Sequence, residues 1–266
     1  MKEQLMQIPV VKDLVTYHDL LFAWTARTVR GRYQQSILGG LWAIAQPIAS
    51  VIILTVIFTQ IVPVDTGDVP YVVFSFSAMV PWLLFSSSLA DMTDSLVVNM
   101  NLIAKIFFPR DVLVVAVMLA RLLDFFIAFT VLLIMMLILQ MPLLSWSLLW
   151  LPVILAVQLT LALGLGLAGA AMNLFFRDIK HIIALGLQIW FYATPIIYPV
   201  TLVPEWARPL YFLNPMAGVI VAYRSVLLEN QSPDSYLALS AVVSLLVLVV
   251  GYLFFKRMEP RFADVV

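Results

Sequence analysis

Few side chains in this sequence could do chemistry, and most of those that could lie where charge is expensive. Arg121 and Asp124 sit one helical turn apart inside the apolar run "VLVVAVMLARLLDFFIAFTVLLIMMLIL", so they share a helix face. That spacing suits a packed intramembrane ion pair, with a contact to a polar substrate as the alternative. Asp91 and Asp94 are similarly spaced at the end of the preceding apolar run, where the headgroup zone would accept them. A proton or ion path needs ionisable groups deep inside such runs, and the candidates here are few. Arg224, in "MAGVIVAYRSVLLE", needs a partner for the same reason: Glu205, Glu229, or an anionic group such as a substrate phosphate.

Sets that would catalyse a reaction are missing. His18 and His181 each stand far from a second ligand candidate, so no metal site is expected. The chain has no cysteine, which removes thiol nucleophiles, thiolate metal sites and disulfides. It contains no phosphate-binding Gly-x-x-x-x-Gly-Lys-Ser/Thr loop, no Gly-x-Ser-x-Gly elbow and no His-Glu-x-x-His. No catalytic residue is therefore assigned, and energy for any transport must come from a partner or an ion gradient.

The elements that hold these residues follow from composition. Of 266 residues, 63% are hydrophobic and 11% charged, and mean hydropathy is +1.04. A soluble domain carries roughly 25% charged residues, so this surface cannot face water all round. Net charge is zero, which argues against a nucleic-acid footprint. The N-terminal residues lack the apolar core of a cleavable signal. Six runs near or above the ~20 residues that cross a bilayer as helix fall at 37–62, 71–95, 112–140, 148–175, 181–200 and 235–255. The prediction is an all-α integral membrane protein, a single transmembrane domain over 1–266 with six spans.

Lys and Arg set its orientation. They precede the first span (Lys2, Lys12, Arg27, Arg30, Arg32), lie between spans two and three (Lys105, Arg110) and four and five (Arg177, Lys180), and follow span six (Lys256, Arg257, Arg261). The opposite face holds only Arg208 and Arg224, so the positive-inside rule predicts cytoplasmic termini. Residues 12–33 place Leu14, Tyr17, Leu21 and Trp24 on one helical face and end in Arg27, Arg30 and Arg32. Such a helix lies along a membrane surface, as an anchor alone or as an anchor that also touches a partner.

Between residues 194 and 215 stand Pro195, Pro199, Pro204, Pro209 and Pro215. Continuous helix cannot run through them, and Asn214–Pro215 restarts one as N-cap and first helical residue. Residues 200–230 are read as short re-entrant helices at the outer face. Tyr192, Tyr198, Tyr223 and Arg224 are the candidate channel or gate residues, while Trp206 and Tyr211 fit an interfacial belt. Tyr and Trp combine flat apolar faces with a polar handle. Gly164/Ala168 and Gly166/Ala170 have small-xxx-small spacing, which predicts close helix packing.

Five stretches carry a resemblance: "RYQQSILGGLWAIAQP" (32–47), "NLIAKIFFPRDV" (101–112), "FRDIKHIIALGLQIWFYATPIIYP" (176–199), "LNPMAGVIVAYRSVLL" (213–228) and "FFKRMEPRFADVV" (254–266). In order and spacing they resemble the polysaccharide-export permeases of ABC transporters, which serve O-antigen, capsule and teichoic acid, and they look closest to the O-antigen type. The resemblance implies export of a lipid-linked polysaccharide across the bacterial inner membrane, powered by ATP and Mg on a separate cytoplasmic ATPase. It implies no cofactor on this chain, and two copies of the chain around a shared channel in membrane lipid. It also implies that 97–110 is a cytoplasmic coupling helix docking on that ATPase through Asn101, Lys105, Phe107, Phe108, Pro109 and Arg110. The interface helix with Trp24, Arg27, Arg30 and Arg32 would lie beside it. A membrane-embedded glycosyl-transferring enzyme would need catalytic acids or bases in a sizeable loop, and the loops here are short. An ion-coupled flippase would be expected to show internal repeats, and none is visible.

Overall fold

A computed structural model describes residues 17–34, 39–103, 105, 108–141 and 145–262 of the chain, and among them the regular structure is helical without strands. The interface helix is α1, His18–Tyr33, which buries no residue completely. Leu14 and the rest of 12–16 lie outside the described residues. Span one is α2, Trp42–Val56, entered through a 3-10 turn, Gly39–Leu41, and extended by a π turn, Ile57–Ile61. Span two is α3, Tyr71–Val98. A one-turn helix, α4 (Met100–Ile103), precedes span three, α5 (Asp111–Ile138). Span four is α6, Leu151–Phe175, with Pro152 in its first turn, where a missing amide costs nothing. The last span is α10, Ser235–Met258.

These five helical stretches are long and apolar enough to cross a membrane. The fifth expected span, 181–200, differs. Its helix, α7, covers only Ile179–Tyr192, 14 residues, or ~21 Å at 1.5 Å per residue, against a hydrocarbon thickness of roughly 30 Å. Pro195 and Pro199 explain the stop, since neither can donate into a continuing ladder and each disfavours helix in the residue before it. After two 3-10 turns, Val200–Leu202 and Glu205–Ala207, come α8, Arg208–Tyr211, and α9, Pro215–Leu227. The chain bends by 109° between Glu205–Tyr211 and Pro215–Leu227, which makes a broken span or a re-entrant loop, as the prolines predict.

The core forms around α3, which buries residues along most of its length and packs on α5 and α6. Pro81 lies inside the continuous α3, and the buried Gln158 side chain of α6 donates to its carbonyl at 2.8 Å. Peripheral α2 behaves differently: Ile52, Ile53 and Val56 all face outward. The small-residue stripe of α6 meets its neighbours within the same chain. A Cβ on Gly164 would lie 2.6 Å from the backbone of Leu248 in α10, and one on Gly251 would strike the Gly164 carbonyl. Gly166 faces Met92 of α3, 2.5 Å from where its Cβ would stand.

Candidate coupling and exit sites

At one end of the bundle, α3 gives way to α4 and the loop that enters α5. The Asn99 side chain donates to the Ser95 carbonyl at 2.8 Å, one of the carbonyls left over at the helix end. The loop has an inner and an outer side. Ile103 and Phe108 are turned into the core, whereas Val98, Asn101 and Lys105 are exposed. Phe108, expected as a contact for the ATPase, is instead an anchor, because an aromatic ring gains more from burial than from water. Phe107 lies outside the described residues. A cleft of about 290 Å³ separates this outer side from α1 and is lined by Arg27, Val98, Asn99, Asn101 and Leu102. The Arg27 guanidinium stacks over Trp24 at 4.3 Å from the ring centre, which holds it at the cleft.

The exit of the loop is tied to the end of α10. The Arg110 amide donates to Glu259 Oε1 at 3.1 Å, just past Pro109. Lys256 Nζ lies 3.0 Å from both Asp111 Oδ2 and Glu259 Oε2. Phe262 is fully buried against Phe175 and Phe255. Sequence reasoning missed this clasp, although the one-turn spacing of Lys256 and Glu259 could have signalled it.

A second polar cluster joins α1 to α3 and α5. Arg32 Nη1 lies 2.6 Å from Asp124 Oδ2, and its Nη2 lies 3.0 Å from Asp91 Oδ2. Arg121 Nε is 2.7 Å from the same Asp91 oxygen, and its Nη1 is 3.4 Å from Asp124 Oδ2. The Tyr33 hydroxyl donates to Asp124 Oδ1. Burial, then the adjoining Asp124 carboxylate, push the Tyr33 hydroxyl above its ordinary pKa, so it remains a donor. Three expectations change. Arg121–Asp124 is the longest edge of a four-membered ring, not an isolated pair. Arg32 points into that ring, while Arg30 stays exposed on α1. Asp91 belongs to the ring too, and Asp94 accepts from Asn173 Nδ2 of α6 at 3.0 Å.

At the opposite end, the broken segment 193–199 is held by Asn214 and Arg224. Asn214 Oδ1 caps α9 by accepting from the Met216 amide at 3.0 Å and also accepts from Trp190 Nε1 at 2.7 Å. Its Nδ2 donates to the Ala193 carbonyl and the Thr194 hydroxyl, each at 3.1 Å. Arg224 is 6% exposed and forms no ion pair with Glu205 or Glu229 among the described residues. It donates instead to the carbonyls of Pro195 (2.6 Å), Ile196 (2.8 Å), Phe74 (3.3 Å) and Tyr198 (3.4 Å), and stacks on the Phe74 ring at 3.5 Å. Glu205 lies 4.0 Å from Arg208. Tyr223, expected as a channel residue, is 1% exposed, because α9 turns it into the core. Tyr192 is 61% exposed, and Tyr198 ties the segment together by donating to the Tyr192 carbonyl (3.1 Å) and pairing with the Tyr211 hydroxyl (3.0 Å). Trp206 is exposed, as a belt residue would be.

Comparison with known proteins agrees with this architecture. Residues 19–228 match the family described as ABC-2 type transporter. The O-antigen export system permease protein RfbA of Myxococcus xanthus is 32% identical over 97% of this chain and 99% of its own length. The Klebsiella pneumoniae protein of the same name is 30% identical over 98% of this chain and all of its own. The polysialic acid transport protein KpsM of Escherichia coli is 26% identical over 83% of this chain and 87% of its own.

Proposed function

The chain belongs to the ABC-2 type transporter family, and from that premise we propose that it exports a lipid-linked polysaccharide of the O-antigen type, powered by a separate ATPase subunit. It is a multi-pass bacterial membrane protein and a transport subunit. The relatives named for O-antigen export support the substrate class, because they align with it from end to end. The membrane would be the cytoplasmic one with both termini inside, and two copies would surround the path. ATP and Mg would reside on the partner. Tyr192 and Tyr198, beside the broken segment, would meet the sugar chain on its way out.

One observation carries the coupling role: the exposed Val98 and Asn101 line an open cleft with Arg27, and Lys105 is exposed further along the same loop. A cytoplasmic ATPase docking there would push on α4, and the Arg110–Glu259 and Lys256–Asp111 contacts would pass that push into α5 and α10. Val98→Asp combined with Lys105→Glu should lower ATPase co-purification and export at least about tenfold, or about 1.4 kcal/mol, which exceeds the roughly 1 kcal/mol that most interface residues stay below, with normal permease levels. Wild-type co-purification and export in that variant would remove the docking role.

The orientation has its own test. Asp65 and Lys180 are both exposed, at opposite ends of the bundle, and the chain has no native cysteine. Cysteine at Asp65 should react with a membrane-impermeant maleimide in intact cells, and cysteine at Lys180 only after permeabilisation. The reverse pattern would invert the assignment.

A further inference from the structure

We propose that Arg32 is a releasable pin that transmits movement of the interface helix α1 to spans α3 and α5, making it a positioning residue for transport. The inference rests on the ATP-driven export reading above and names where that drive enters the membrane domain.

The geometry of the ring separates its two arginines. Arg121 belongs to α5 and holds Asp91 of α3 and Asp124 of its own helix, so it joins two spans that are packed together in any case. Arg32 grips the same two carboxylates from outside, one with each terminal nitrogen, at 2.6 and 3.0 Å. If Arg32 withdraws, both aspartates still contact Arg121, and neither carboxylate is stranded without a cation. Withdrawal is therefore tolerable while Arg121 stays in place, whereas without Arg121 both carboxylates would depend on Arg32 and its release would strand them. The pin is also partly wetted: the four side chains keep 16–32% of their surface exposed. Partial contact with water lowers the cost of parting such pairs relative to a dry interior, so the contacts of Arg32 can open and re-form during a cycle.

Two further observations fit a moving joint. Helix α1 has no fully buried residue: it lies on α5 through half-buried side chains such as Leu20 and Trp24, and the ring and the Tyr33 hydroxyl are its polar ties to α3 and α5. Open space also flanks the ring on both sides. A cavity of about 200 Å³ touches Arg32, Tyr33, Arg121 and Asp124 beside Trp42 and Gln46. Another of about 410 Å³ touches Arg32 and Asp91 beside Trp24 and Arg27. The second lies next to the cleft proposed to receive the ATPase, since Arg27, Val98 and Asn99 line both. A push at that cleft meets α1 and the ring together.

The test uses the full complex with its ATPase in proteoliposomes, reading polysaccharide moved per ATP hydrolysed and the amount of folded permease. Arg32→Gln should retain abundance and ATP hydrolysis but lower export per ATP at least about fivefold, the low end of coupling between sites. Arg32→Lys should recover part of that loss, because an ammonium keeps the charge but cannot fork two carboxylates. Arg121→Gln should instead lower the amount of folded protein, because each release of Arg32 then leaves Asp91 and Asp124 without a cation. Unchanged export per ATP in Arg32→Gln overturns the proposal. So does a loss of folded protein equal to that of Arg121→Gln with normal export per molecule, since the ring is then a static clamp. A wild-type complex with no ATP-dependent export would instead remove the functional reading on which the inference stands.

Discussion

Gly251→Leu should leave almost no folded protein in the membrane. Glycine at this position lets α10 lie directly on α6, where a Cβ would strike the Gly164 carbonyl. Gly164 in turn has the Leu248 backbone 2.6 Å from where its own Cβ would be. Both obstacles are backbone, so no rotamer change relieves them and the helices must separate. Apolar helices in lipid gain no hydrophobic driving force from one another and associate through close packing, so separation forfeits the main source of their attraction. Overpacking costs roughly 1–3 kcal/mol where neighbours can adjust, and backbone against backbone should exceed that range. Against a total stability of about 5–15 kcal/mol, loss of most folded material is the expected result. Gly186→Leu is the control, because nothing lies within 4 Å of its would-be Cβ. Size-exclusion profiles in mild detergent, with thermal midpoints, would distinguish the two variants. A monodisperse Gly251→Leu protein melting like wild type would show that the α6–α10 contact is not needed.

The spans, the re-entrant break and the α6 packing stripe were legible in the sequence because each is a local signal: run length, proline spacing, small residues four apart. The charge ring was only half legible. Arg121 and Asp124 announce themselves by one-turn spacing, but nothing local ties Arg32 to carboxylates 59 and 92 positions away. The burial of Phe108 was not legible, because a loop phenylalanine reads the same in sequence whether it faces a partner or its own core; the structure leaves it 5% exposed. The α7 boundary was overshot for a related reason. Hydropathy continues past Tyr192 into "ATPIIYP", where Ala193, Ile196, Ile197 and Tyr198 keep the run apolar although the prolines end the helix.

Arg224→Met should be the most damaging change at the proline-broken end of the bundle, and the reason is what the prolines remove. Pro195 and Pro199 lack amides, and the chain between them leaves the helical ladder, so its carbonyls need donors from elsewhere. At membrane depth water cannot supply them, and irregular backbone persists only where protein satisfies it. Arg224 is that protein donor. It reaches Pro195, Ile196 and Tyr198 on the broken segment and Phe74 on α3, bridging the two. The Tyr71 hydroxyl adds a donation to Ile197 at 2.9 Å. Its own cost of burial is offset by those carbonyl dipoles and the Phe74 ring, with no carboxylate required. Methionine fills a similar space but donates nothing, and each buried carbonyl left without a donor costs about 1–3 kcal/mol. The two shortest contacts alone therefore predict a loss of about 2–6 kcal/mol. Arg224→Lys keeps the charge but loses the planar fork that spans separate carbonyls, so it should rescue only in part. The expected signature is a lowered melting point together with loss of export, larger for Met than for Lys. Purified Arg224→Met with wild-type melting and export would mean that the broken segment is held without it. Wild-type melting with export abolished would move Arg224 from a backbone brace to a direct contact with the substrate.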